Sequence, residues 1–198
     1  MKNENSLRIA LFIDGSNFHY KLRDLGIRNI SYFQYGKFAL WLAGKRTIVL
    51  KKYYVGVVRA KESDEKGQQL RKNQIRLFNH LASRACGFLV ERGYIMHNDG
   101  LYYEKGVDVK IAVDLLVGAY ENSYDIAVLV SSDTDLIPAI EKVRLLGKKV
   151  VYVGFSHKPS FGLIKNASES KLLSKADLDE FEGLGRKCGN SHLLDWIS

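Results

Sequence analysis

The chain is poor in the features that most often announce a function. Its 198 residues contain two cysteines, Cys86 and Cys188. They lack metal-ligand spacing, and one distant pair makes no disulfide framework, so both read as inert thiols. Five histidines, His19, His80, His97, His157 and His192, share no motif, which leaves them without a catalytic part. No apolar run approaches the roughly 18 to 20 residues that a membrane span requires. The opening "MKNENSLRIALFID" runs directly into a strand-like segment rather than a cleavable signal. A cytoplasmic protein without membrane attachment is the expectation. There is no internal repeat and no low-complexity tract.

What the chain does have fits one globular domain: 46% hydrophobic and 26% charged residues, enough to bury a single core. "LRIALFID" (7 to 14) is nearly continuous in apolar residues, as a strand covered on both faces of a parallel sheet should be. Comparable runs follow at 47 to 58, 87 to 97, 125 to 131 and 148 to 155. Helical spacing fills the intervals at 17 to 25, 33 to 43, 67 to 85, 106 to 121 and 136 to 146. Strands alternating with helices predict an α/β fold, a three-layer αβα sandwich on a mainly parallel sheet with right-handed crossovers. The residues after Phe155 predict a short helix or two that complete the domain.

The net charge of +8 is unevenly placed. Between Gly44 and Arg76, ten Lys or Arg stand against only Glu62, Asp64 and Glu65. Such a concentration suits a polyanion-binding face, because neutralising phosphates releases condensed counterions. It equally suits a solvated surface that keeps the protein soluble. Within it, Arg59, Lys61, Arg71 and Lys72 follow the second strand, and their loop is expected to emerge beyond that strand's carboxyl end.

In an open α/β sheet, function gathers beyond the carboxyl ends of the strands, near the point where strand order reverses. Acids stand at those ends. Asp14 closes the first strand in "FIDGSNF", and Asp133 and Asp135 follow the fourth in "VSSDTD". Each also suits the N-cap of a following helix. On a helix over 106 to 121, Val109, Ile111, Ala112, Leu115, Leu116 and Ala119 form the apolar side, with Asp108 among them and Asp114 turned to solvent. Two unit charges about 4 Å apart at an effective dielectric of about 20 repel by roughly 4 kcal/mol. A cluster of three or four carboxylates would therefore take up protons or a cation. Hard oxygen donors favour Mg2+ or Mn2+ over zinc.

"LFIDGSNF", "EKGVDVKIAVDLL" and "VLVSSDTDLIPAIEKVRLLGKKVVYVG" resemble the three ordered motifs of the NYN domain, the LabA-like branch of the PIN-like nuclease superfamily. The resemblance covers about residues 7 to 155. It implies a PIN-like, Rossmann-like domain over 1 to 170, a C-terminal extension over 171 to 198, and a metal-dependent ribonuclease. Its acidic site falls on Asp14, Asp108, Asp133 and Asp135, which would hold Mg2+ or Mn2+. Asn17 matches the Asn of the first motif and would position a carboxylate or phosphate. Lys105, with Arg59, Lys61, Arg71 and Lys72, would contact the backbone of a single-stranded or structured RNA. Where the family reads Ser-Gly-Asp-Ser-Asp-Phe, this chain has Ser132, Thr134 and Leu136 at the second, fourth and sixth places. Ser132 is expected to crowd that turn, while Ser131 and Ser132 are expected to bond to its backbone. Asp114 matches a further frequent acid.

Neighbouring classes fit less well. The Asp-x-Ser-x-Ser motif of von Willebrand A domains fails at Phe18, and the Asp-x-Asp of haloacid dehalogenase phosphatases fails at Ser16. A PIN-like module that binds RNA or a protein and cuts nothing is the alternative to the nuclease. The C-terminal segment "GRKCGNSHLLDWIS" offers a surface for a homodimer or a protein partner.

Overall fold

The computed structural model describes residues 6–27, 30–58, 63–98 and 101–183. Seven strands form one sheet: β1 (Arg8–Asp14), β2 (Thr47–Val57), β3 (Leu89–Asn98), β4 (Leu101–Lys105), β5 (Ile126–Val130), β6 (Lys149–Phe155) and β7 (Glu169–Leu173). Their order is β4-β3-β2-β1-β5-β6-β7. Only β4 runs antiparallel, against β3; every other pairing is parallel. The mainly parallel sheet expected from the strand runs is therefore present.

Among the described residues, seven α-helices cover it: α1 (Gly15–Asp24), α2 (Tyr35–Ala43), α3 (Glu65–Ala82), α4 (Val107–Tyr120), α5 (Ile137–Leu145), α6 (Phe161–Asn166) and α7 (Lys175–Asp179). The period-two alternation of β1 divides them into two layers. Ile9, Leu11 and Ile13 face α1, α2, α3 and α7. Ala10 and Phe12 face α4, α5 and α6. Burial of each such large side chain contributes about 1.5–3 kcal/mol. On the first face, Phe18 packs against Phe33, Phe38 and Phe155, with ring centroids 5.4 to 6.0 Å apart. That aromatic core explains why a phenylalanine, and not a second serine, follows "DGSN".

Local chemistry sets the helix boundaries. Asp14 caps α1 and Asp64 caps α3, each accepting from a backbone N–H of the first turn. Ser174 and Asp177 form a capping box on α7. The part after Phe155 holds more than helices. β7 pairs in parallel with β6, and Phe181 packs into the first core, so the sheet continues through residue 170. The segment from 184 onward, including "HLLDWIS", lies outside the described residues. Among the described residues, no helix is long and apolar enough to cross a membrane.

The topology fixes where a site can lie. From β1 the chain winds outward through β2 and β3, then returns to place β5 on the other side of β1. Strand order thus reverses between β1 and β5, and their carboxyl ends border the crevice where ligands of such sheets bind.

Candidate active site

Asp14 is the last residue of β1 and sits at that crevice, only 5% exposed. One carboxylate oxygen accepts the Asn17 backbone N–H at 3.0 Å. The other accepts the Ser131 hydroxyl at 2.9 Å. A carboxylate this buried needs such partners, because an unsatisfied one is costly. The next residue must be glycine: a Cβ at Gly15 would stand 2.3 Å from the Tyr53 ring and 2.6 Å from the Tyr54 carbonyl oxygen.

Ser131, the first residue after β5, is 1% exposed and joins two acidic segments. Besides donating to Asp14, its hydroxyl accepts the Asp133 backbone N–H at 3.1 Å. The expected bond to its own turn is present, and the bond across to β1 adds to it. Asp133 caps the turn Thr134–Leu136, its Oδ1 accepting the Asp135 N–H at 2.9 Å. Asp133 is half-buried and Asp135 exposed. Ser132 is accommodated without a left-handed backbone, since Asn122 is the only non-glycine residue with positive φ among those described. Its Oγ is buried without a hydrogen-bond partner, and so is Asn17 Oδ1.

The helix carrying Asp108 is phased differently from the sequence expectation. Val107, Ile111, Leu115 and Ala119 form the buried row of α4. Val109 is exposed, and so is Asp108, which lies in the first turn. Asp114, expected in solvent, is half-buried. Its carboxylate accepts from Lys52 Nζ and from the Tyr54 hydroxyl, both at 2.7 Å. Apolar residues occur on both sides of α4, so their spacing alone cannot set its rotation; the polar partners of Asp114 lie on the sheet side. Burial, followed by the bond to Asp114, pushes the Tyr54 phenol well above its ordinary pKa. Burial works against the Lys52 ammonium, but its bonds to Asp114 and Glu91 outweigh that and raise its pKa.

The structure thus links Asp14 to Asp133 through Ser131, with Asp135 in the adjoining turn. That turn packs against α4, which carries Asp108. Among the described residues, no three His, Cys, Asp or Glu side chains stand close enough together to hold a metal ion by themselves.

Among the described residues, the basic stretch is divided between the two ends of the sheet. Lys45 and Arg46 precede β2, at the sheet edge opposite the acids. Arg71 and Lys72 are exposed on α3. Arg59 and Lys61 lie outside the described residues. Lys105 ends β4 and is exposed, one residue before the left-handed Gly106 that precedes α4. The signals that sequence reading missed are the Ser131 bridge and the Lys52–Asp114–Tyr54 cluster, whose members are distant in the chain.

Comparison with solved structures finds a Vibrio parahaemolyticus protein of unknown function, VPA0982, with a TM-score of 0.62 and 27% identity, covering 87% of this chain and 96% of that one. T5 5′-exonuclease with bound zinc ions aligns more weakly, with a TM-score of 0.41 and 13% identity over 80% of this chain and 60% of that one. No curated protein matches the chain. The family model of the NYN domain matches residues 8–174, so the chain belongs to the NYN domain family.

Proposed function

We propose that this protein is a divalent-metal-dependent ribonuclease of the LabA-like, PIN-like type, acting at the β1–β5 crevice. The observation that carries this reading is the buried Asp14 carboxylate joined through Ser131 to the Asp133 turn at the point where strand order reverses. Two orphaned buried oxygens, Asn17 Oδ1 and Ser132 Oγ, add donor capacity beside it.

The donor set fits one kind of ion. With no group of three acids gathered among the described residues, an all-protein cage of the calcium type is a poor match. Mg2+, and by the same hard-oxygen preference Mn2+, is typically held by one or two carboxylates and completes its shell with waters and substrate phosphates. Asp14 and Asp133 would be the principal ligands, with Asp108 and Asp135 engaging as substrate arrives. When bound, such an ion supplies polarisation of the scissile phosphate and charge stabilisation during phosphodiester hydrolysis. The chain's own residues do the rest. Ser131 fixes the orientation of the Asp14 carboxylate, and Asn17 presents its amide to a carboxylate or phosphate. Lys105, Arg71 and Lys72 draw the RNA backbone toward the crevice.

A silent RNA-binding module is favoured by a different observation: both Asp14 oxygens and Asp133 Oδ1 already hold hydrogen bonds within the chain. Incubation with single-stranded and structured RNA, in Mg2+, Mn2+ or EDTA, decides between them. Cleavage that EDTA abolishes, and that Asp14→Asn and Asp133→Asn lack, supports the nuclease. Salt-sensitive binding without cleavage in wild type and variants selects the silent module.

A further inference from the structure

The outer face of α4 is apolar where a surface helix should be polar. Val109, Val113, Val117 and Tyr120 are 66%, 50%, 44% and 61% exposed. Their spacing of four, four and three residues places them in one row along the helix. That row lies diametrically opposite the buried row of Val107, Ile111, Leu115 and Ala119. These side chains belong to neither core of the described residues, and a continuous apolar row facing water marks an interaction surface.

We infer that this row docks against the same row of a second copy of the chain, in an antiparallel helix pair about a two-fold axis. The argument is self-complementarity. In an antiparallel pair centred near Leu115, Val109 lies opposite the partner copy's tyrosine end of the row, while Val113 and Val117 lie opposite one another. Lys110 and Glu121 sit on the same flank of the row, at about 100° per residue. Antiparallel pairing brings like flanks together, so each Lys110 meets the glutamate at the far end of the other helix. One surface thereby supplies both halves of an isologous interface, as two-fold symmetry requires. A parallel arrangement loses this, because it sets the flank of Lys110 and Glu121 against the opposite flank, which carries Ala112 and Leu116. Lys110 Nζ also stands 3.5 Å from Glu91 within the chain, and an ammonium with three donors serves both carboxylates. In this arrangement the two α4 N-termini, with Asp108, point to opposite ends of the pair and stay about 20 Å apart along its axis. A single helix pair is small for an interface, so association is expected to be reversible and concentration-dependent. This inference does not depend on the nuclease reading.

Sedimentation velocity of the full chain over a wide concentration range tests it. The expected result is a monomer–dimer equilibrium that Val113→Glu or Tyr120→Ser weakens by roughly tenfold or more. Glu121→Lys, which sets two lysines together, should weaken it as well, and adding Lys110→Glu should restore it. Both hydrophobic-row positions point to solvent, so thermal unfolding of the dilute monomer should be unchanged in these variants; two independent sites keep the test decisive if one variant folds poorly. A monomer at every concentration would overturn the inference. So would a dimer indifferent to Val113→Glu and Tyr120→Ser, or a double charge exchange that fails to restore association.

Discussion

The Ser131 hydroxyl spans the junction of β5 and β1, donating to Asp14 Oδ2 at 2.9 Å while accepting the Asp133 N–H at 3.1 Å. A single buried oxygen therefore ties the Asp14 carboxylate to the Asp133 turn at the ends of two strands already paired in parallel. Ser131→Ala removes a hydrogen bond from a buried carboxylate and leaves a backbone N–H without its acceptor. The expected loss of stability is about 1–3 kcal/mol, read as a lower urea midpoint with an unchanged slope. If the crevice is the catalytic site, cleavage should fall together with the apparent affinity for Mn2+. Unaltered stability would show that the bridge does not restrain the crevice.

The Asp114 carboxylate accepts from both Lys52 and Tyr54, which predicts a structural part for it. Asp114→Ala leaves the half-buried Lys52 ammonium with Glu91 alone, 3.1 Å away, and the Tyr54 phenol without its acceptor. It should cost about 2–4 kcal/mol, whereas Tyr54→Phe, which leaves Lys52 in place, should cost about 1 kcal/mol. Denaturant titration measures both. A variant of Asp114 that keeps full stability yet loses cleavage would instead assign this residue to the reaction.

How far the sequence could be read follows from how each signal arises. β1, β5 and β6 carry near-continuous apolar runs because both of their faces are covered, and these runs placed the central strands and hence the crevice. β4 and β7 are edge strands of five residues each, and β7 is exposed along much of its length. An apolar-run criterion passes over such strands. The sequence carries the dipeptide Asp99-Gly100, a short-range hairpin signal that could have flagged the antiparallel return of β4; both residues lie outside the described ones. Of the candidate site, the meeting of Asp14 and Asp133 at one edge was legible from strand-end position alone, whereas Asn17, on α1, was marked only by the resemblance. The rotation of α4 was not legible, since the exposed Val109 reads as continuous with Ile111, Ala112, Leu115, Leu116 and Ala119. Only the pairing of Asp114 with residues of β2, about 60 positions earlier, distinguishes the two faces.

His19 gives the fold a pH dependence of definite sign. Its ring is buried on α1 with Nε2 unpartnered. Burial first, and the neighbouring Arg23 charge second, lower its pKa from 6.5 to about 4. The folded state therefore keeps His19 neutral in a range where the unfolded chain protonates it. Stability is fully present above pH 6.5 and is lost as pH falls from 6.5 toward 4, by about 3 kcal/mol at most. The melting temperature should fall across that window, and His19→Leu should flatten the dependence. A wild-type profile flat from pH 7 to pH 4.5 would mean that the imidazole can reach water or a partner.

The division of the basic residues between two edges of the sheet yields a prediction about RNA binding. Arg71 and Lys72 are exposed on α3, which follows the carboxyl end of β2, whereas Lys45 and Arg46 precede that strand. If RNA lies along the acidic edge, Arg71→Ala with Lys72→Ala removes two phosphate contacts. The slope of log affinity against log salt should then shrink by about 1.4, since each contact to a single strand accounts for about 0.7. Lys45→Ala with Arg46→Ala changes the net charge equally and should leave the slope almost unaltered. Fluorescence anisotropy of a labelled single strand, titrated in EDTA at several salt concentrations, separates the two pairs without any contribution from cleavage. Equal losses in both would place the polyanion under the control of net charge alone, and a loss confined to Lys45 and Arg46 would move the RNA to the opposite edge.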